Sequence, residues 1–73
     1  MKFVVRKTEK IRISAVFLEG LGFKPLDALH LACAEAGGSV YFLTTDDGIL
    51  KRRNAWRGVS IADPIEFIRE VNP

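Results

Sequence analysis

The spacing of apolar residues changes along this chain, and that change sets the order of its elements. From Thr8 to about Leu21, Ile11, Ala15 and Leu18, joined by Val16, recur at helical intervals. Thr8 stands where a helix cap belongs, and Gly20 and Gly22 mark the end. A second helix is predicted from about Leu26 to Ala36. Pro25 suits its first turn, because the N–H that proline lacks would be unpaired there anyway. Leu29, Ala32, Cys33 and Ala36 form its inner face, and Gly37-Gly38 supply a left-handed stop. Val40 to Thr44 is an unbroken run of strand formers, as in a strand covered on both faces. Asp46 or Asp47 then caps a short helix through Asn54. Val59 to Ala62 reads as a second strand. Asp63-Pro64 is a cap followed by proline at the first helical position, and Ile65 to Val71 is the closing helix.

Strand, helix, strand, helix from residue 40 to residue 71 argues an α/β fold, with a small parallel sheet flanked by helices and a right-handed crossover. Two strands alone leave unpaired edges, which proteins avoid exposing. The sheet is therefore expected to continue through Phe3 to Arg6, through another chain, or both. A homo-oligomer follows from that expectation. With 73 residues, the chain reads as one domain, 1–73, and a domain of that size buries only about 60% of its unfolded surface.

A hydrophobic share of 48% against 27% charged excludes a disordered or collagen-like chain. A net charge of +2 is compatible with a polyanionic partner and argues for none. Met1 to Arg6 has no signal-peptide pattern, and no apolar run approaches the roughly 20 residues that span a bilayer. The expectation is a soluble, cytoplasmic protein with no membrane partner. The single cysteine, Cys33, allows no disulfide within the chain. Its apolar surroundings predict a buried, inert thiol.

The candidate chemistry lies in two acidic stretches. Asp27 opens the second helix, and Asp46-Asp47 follow the first strand, Asp46 being 19 positions after Asp27. A helix start and a strand end can meet at one edge of an α/β sheet, where ligands bind, and two carboxylates there suit a hard cation such as Mg²⁺. Each acid also has a local reading. Asp27 favourably meets the helix dipole, and either Asp46 or Asp47 can cap the next helix. We assign Asp46 as the ligand and Asp47 as the cap. Thr44 and Thr45 either hydrogen-bond a carboxylate or serve as strand formers. Lys51-Arg52-Arg53, with Arg57, form the densest positive charge. They could contact phosphates or complement the end of a short helix. Trp56 could stack on a base or pack against the sheet edge. His30 is read as a packed structural residue, and Tyr41 and Phe42 as core.

Leu21-Gly22-Phe23-Lys24-Pro25-Leu26-Asp27-Ala28-Leu29-His30-Leu31-Ala32, then Val40 to Leu50 with Thr44-Thr45-Asp46-Asp47, then Asp63-Pro64-Ile65-Glu66-Phe67, together resemble the C-terminal half of PIN domains. These are metal-dependent nucleases that include the VapC toxins of bacterial toxin–antitoxin pairs. The likeness runs over roughly residues 10 to 71. It implies a ribonuclease using Mg²⁺ or Mn²⁺, with Asp27 and Asp46 at two acidic positions of the site and Thr44 as the accompanying hydroxyl. It also implies RNA as substrate and an antitoxin or a complementary half-domain as possible partner. The family's remaining acids come from a first strand and a middle helix that have no clear counterpart here. Glu9 and Glu19 are the only acidic residues before Asp27. The chain thus resembles a truncated PIN domain. A non-catalytic module that self-associates through its sheet edges is the alternative. A third acid could come from Glu9, Glu19 or Asp47 across a dimer.

Overall fold

The computed structural model describes residues 7–71. It is a small α/β fold. In chain order the elements are α1 (Lys7–Gly20), α2 (Pro25–Ala36), β1 (Tyr41–Leu43), α3 (Asp47–Leu50), a 3₁₀ turn (Arg53–Ala55), β2 (Ser60–Ala62) and α4 (Pro64–Val71). The strand expected at Phe3 to Arg6 lies outside the described residues.

Both long helices end in the same way. At the end of α1, the Gly22 N–H donates to the Glu19 carbonyl and the Phe23 N–H to the Leu18 carbonyl. This closure needs a left-handed residue, and Gly22 has φ +104°. It also brings Phe23 back onto Leu18, and both are buried in one cluster. At the end of α2, the bonds run from Gly38 to Glu35 and from Ser39 to Ala34. Gly38 takes the left-handed turn at φ +77°, while Gly37 stays right-handed. Thr8 is not a cap, because α1 already begins at Lys7.

The core joins Leu18 and Phe23 with Ala28, Leu31 and Ala32 of α2, Ile49 of α3, and Val59 and Ile61 around β2. The inner face of α2 is therefore turned from the expected one. Ala28, Leu31 and Ala32 face inward, whereas Leu29 is 43% exposed and Cys33 is exposed. Residues 26 to 36 are apolar on nearly every side, so periodicity does not fix the facing. The small Ala28 and Ala32 do, since they let α2 approach closely. His30 is likewise exposed, and so is Val16 on α1. Leu29→Ala is consequently expected to cost less than about 1 kcal/mol, well short of the 2–5 kcal/mol of a core leucine. A urea midpoint shifted as far as that of a buried leucine would overturn this assignment.

The two strands pair in parallel, with Tyr41 opposite Ser60, Phe42 opposite Ile61 and Leu43 opposite Ala62. β2 is the covered strand. β1 is only half-covered, with Leu43 exposed and Val40 outside the strand in solvent. The reading of β1 as covered on both faces fails, because a strand run of apolar residues does not by itself supply a layer to cover it. α4 lies on the face of Tyr41. The Tyr41 ring meets Phe67 edge-on at 4.9 Å, and its hydroxyl donates to Glu70 Oε2 at 3.0 Å. That acceptor, and the negative charge it carries, hold the Tyr41 pKa above its ordinary value.

The start of α4 is as the sequence predicts. Asp63 Oδ1 accepts the Glu66 N–H at 2.8 Å, and Pro64 is the first helical residue. This bond, with further N–H donation and the nearby Arg53 charge, holds the Asp63 carboxyl below its ordinary 3.8. A lowered folded-state pKa adds stability above the unfolded value, and that stability is lost as pH falls through the folded value. Acidification below about pH 4 should therefore lower the denaturation midpoint less in Asp63→Asn, which keeps a cap without a titrating group. Identical acid profiles for the two proteins would show that Asp63 does not contribute.

Candidate metal and phosphate site

The chain leaves β1 through Thr44, whose N–H donates to the Ala62 carbonyl at 3.0 Å, carrying the ladder one residue past the strand. The Thr44 hydroxyl then accepts the Asp46 N–H at 3.0 Å. This short loop bond fixes the turn and leaves Asp46 extended, at φ −75° and ψ 116°. Asp46 is thus the helix cap, with Oδ1 accepting the Ile49 N–H at 3.1 Å. Asp47 is the first residue of α3 and is exposed. The cap is therefore Asp46 and not, as expected, Asp47. A residue both extended and two positions beyond a threonine hydroxyl is the one that the turn selects. Thr44 acts on the backbone of the loop.

Asp27 is half-buried in the first turn of α2, which begins at Pro25 and has no side-chain cap. Its carboxylate sits where the helix dipole favours negative charge. Among the described residues, no three His, Cys, Asp or Glu side chains converge to hold a metal ion. Of the other acids considered, Glu9 pairs with Arg12 at 3.1 Å and Glu19 is exposed on α1. Asp27, Asp46 and Asp47 therefore supply at most part of a Mg²⁺ or Mn²⁺ ligand set. A cation bound through one or two carboxylates must draw its other ligands from water or substrate phosphate.

The basic stretch divides in two. Arg52 donates to the Gly48 carbonyl at 3.1 Å and crosses the turn at Gly22. Arg53 makes two bonds to the Glu66 carboxylate, at 3.0 and 2.8 Å. Both are committed to the fold: Arg52 closes the end of α3, and Arg53 ties the crossover to α4. Lys51 and Arg57 are exposed and have no bonded partner among the described residues. Trp56 packs against the core, as expected from its place beside the sheet.

A cleft of about 390 Å³ escaped the sequence reading. It lies against β2 and is lined by Trp56 and Arg57, which precede the strand, and by Glu66 and Glu70 of α4. Its walls come from residues well separated in sequence, which the strand pairing and the Arg53–Glu66 and Tyr41–Glu70 bonds bring together. Comparison with protein-family models, with curated proteins and with solved structures finds no match to this chain.

Proposed function

We propose that this chain is a PIN-like, VapC-type half-domain whose incomplete acidic site, Asp27 and Asp46, serves metal-dependent ribonuclease chemistry only when a second copy or a complementary half supplies the missing ligands. What supports this reading is the position of Asp46, held by Thr44 just beyond the C-terminal end of a parallel strand, the edge where α/β sheets take ligands. A divalent cation there would polarise a phosphoryl oxygen and activate a water for hydrolysis. Lys51 is the exposed cation nearest in sequence and would meet the phosphates. Arg52 and Arg53 would help only by leaving their present partners.

The test is cleavage of labelled single-stranded RNA with Mn²⁺ or Mg²⁺, over a range of protein concentrations, beside Asp27→Asn and Asp46→Asn. Asparagine caps a helix as well as aspartate does, so the second variant should keep α3. The expected result is weak metal-dependent cutting that rises faster than linearly with concentration and disappears in both variants. Equal activity in all three proteins would sink the nuclease reading, and none in any would exclude a site completed by a second copy.

The alternative reading, a non-catalytic assembly module, has its own support. Ile13, Val16 and Phe17 line the outside of α1, and Ile65, Ile68 and Val71 the outside of α4, all exposed. Apolar stripes at such spacing mark surfaces for protein contact. Sedimentation equilibrium showing a folded monomer at all concentrations would exclude self-association.

A further inference from the structure

Among the described residues, the parallel register leaves one edge of β2 open. The Ser60 N–H donates to the Val40 carbonyl, and the Ala62 carbonyl accepts from Thr44. In a parallel ladder, alternate residues of a strand turn their backbone groups to the same neighbour. Ser60 and Ala62 therefore face β1, and the N–H and C=O of Ile61 point the other way. Neither has a hydrogen-bond partner among the described residues. The Ile61 side chain is buried, so this is a fixed edge with a packed base.

The open edge borders the cleft of about 390 Å³, which is lined by Trp56, Arg57, Val59, Ile61, Glu66 and Glu70. The charges there do not cancel locally. Glu66 is neutralised by Arg53. Among the described residues, Arg57, beside Trp56, has no bonded partner, and Glu70 of α4 carries the Tyr41 hydroxyl alone. The walls select the occupant. An extended chain that carries one acidic and one basic side chain would meet Arg57 and Glu70 together while its backbone meets that of Ile61.

We propose that this cleft binds an extended peptide segment, which adds a strand at the open edge of β2 through Ile61 and presents an acidic side chain to Arg57 and a basic one to Glu70. Backbone bonds to an edge supply affinity in such complexes, and pockets for alternate side chains supply selectivity. The three residues of β2 span about 10 Å at roughly 3.3 Å each, so a segment of about five residues suffices. This inference is independent of the acidic site: it uses a different edge and none of Asp27, Asp46 or Asp47.

The test follows amide exchange by NMR in the full chain. The probe is an end-capped pentapeptide set with valine at alternate positions and glutamate or lysine between them. Its control is the same set N-methylated on the amides that would face the protein. The expected result is that Ile61 N–H exchange slows at least about tenfold with the unmethylated set and is unchanged with the methylated one, since only a strand that bonds the edge protects it. Arg57→Glu should reverse the preference of its side of the cleft from glutamate to lysine. Equal protection by both sets, or none at millimolar peptide, would overturn the proposal. So would protection of Ile61 that rises with protein concentration alone, which assigns the edge to a second copy. A single-stranded RNA that shifts Trp56 and Arg57 while leaving Ile61 unprotected would assign the cleft to nucleic acid instead.

Discussion

Leu31→Ala is expected to remove about 2–5 kcal/mol of stability, the range for deleting a buried leucine side chain into a core that cannot fully collapse. Leu31 is 0% exposed and touches the cluster that joins α1, α2 and β2. Stability of roughly 0.05–0.15 kcal/mol per residue gives a 73-residue chain about 4–11 kcal/mol in all. The variant therefore loses from a fifth of its stability to all of it, and the midpoint of thermal unfolding should fall by about 8–40 °C. The informative comparison is Leu29→Ala, two positions away in the same helix and equally apolar. A large loss at Leu31 with little at Leu29 would establish which face of α2 is inside. Equal losses would mean that α2 is turned by about one residue, or covered on its outer side by another chain.

Gly58→Ala should also destabilise, against the usual direction for such a change. Replacing glycine at an ordinary backbone angle stabilises by about 0.4–1 kcal/mol, by restricting the unfolded chain. At Gly58 the added methyl group would meet the Trp56 ring, with Cε2 at 2.6 Å, and the Glu35 carboxylate. Glu35 is exposed and can swing away, but Trp56 is packed against the core cluster and cannot move without disturbing it. Overpacking of this kind costs typically 1–3 kcal/mol, which exceeds the entropic gain. The net expectation is a loss of about 1–2 kcal/mol in a guanidinium titration. A midpoint equal to or above that of the parent would show that Trp56 has room to shift, and that the wall of the cleft it forms is not rigid.

The elements themselves were legible because each is bounded by residues with a strong local reason to be there. Asp63-Pro64 fixes the start of α4 through one hydrogen bond and one missing N–H, and Gly22 and Gly38 fix two helix ends through their left-handed turns. Facing was less legible. Leu26, Leu29, Leu31, Ala32 and Cys33 are all apolar, and which go inside is decided by the close approach that Ala28 and Ala32 allow. That the cap falls on Asp46 and not on Asp47 has the same origin. Two adjacent aspartates cap equally well in principle, and the choice falls to the Thr44 hydroxyl two residues upstream. The basic run misled for another reason. Lys51, Arg52 and Arg53 are adjacent in sequence, but the partners of the two arginines, the Gly48 carbonyl and Glu66, are 4 and 13 positions away. The site was legible as a set of acids and not as a geometry.

Trp56 gives the molecule a built-in optical reporter. It is the chain's single tryptophan, so every photon of indole emission comes from one place, where the strand-bearing half of the fold leans on Gly58 and Glu35. Far-ultraviolet circular dichroism is dominated instead by the two long helices, α1 and α2. Following both signals through one denaturant titration thus compares undocking of the sheet with melting of the helices. Coincident curves would mean that the helix pair and the strands unfold as one cooperative unit; an emission change that runs ahead of the dichroism would mean that the helix pair survives after the sheet has let go.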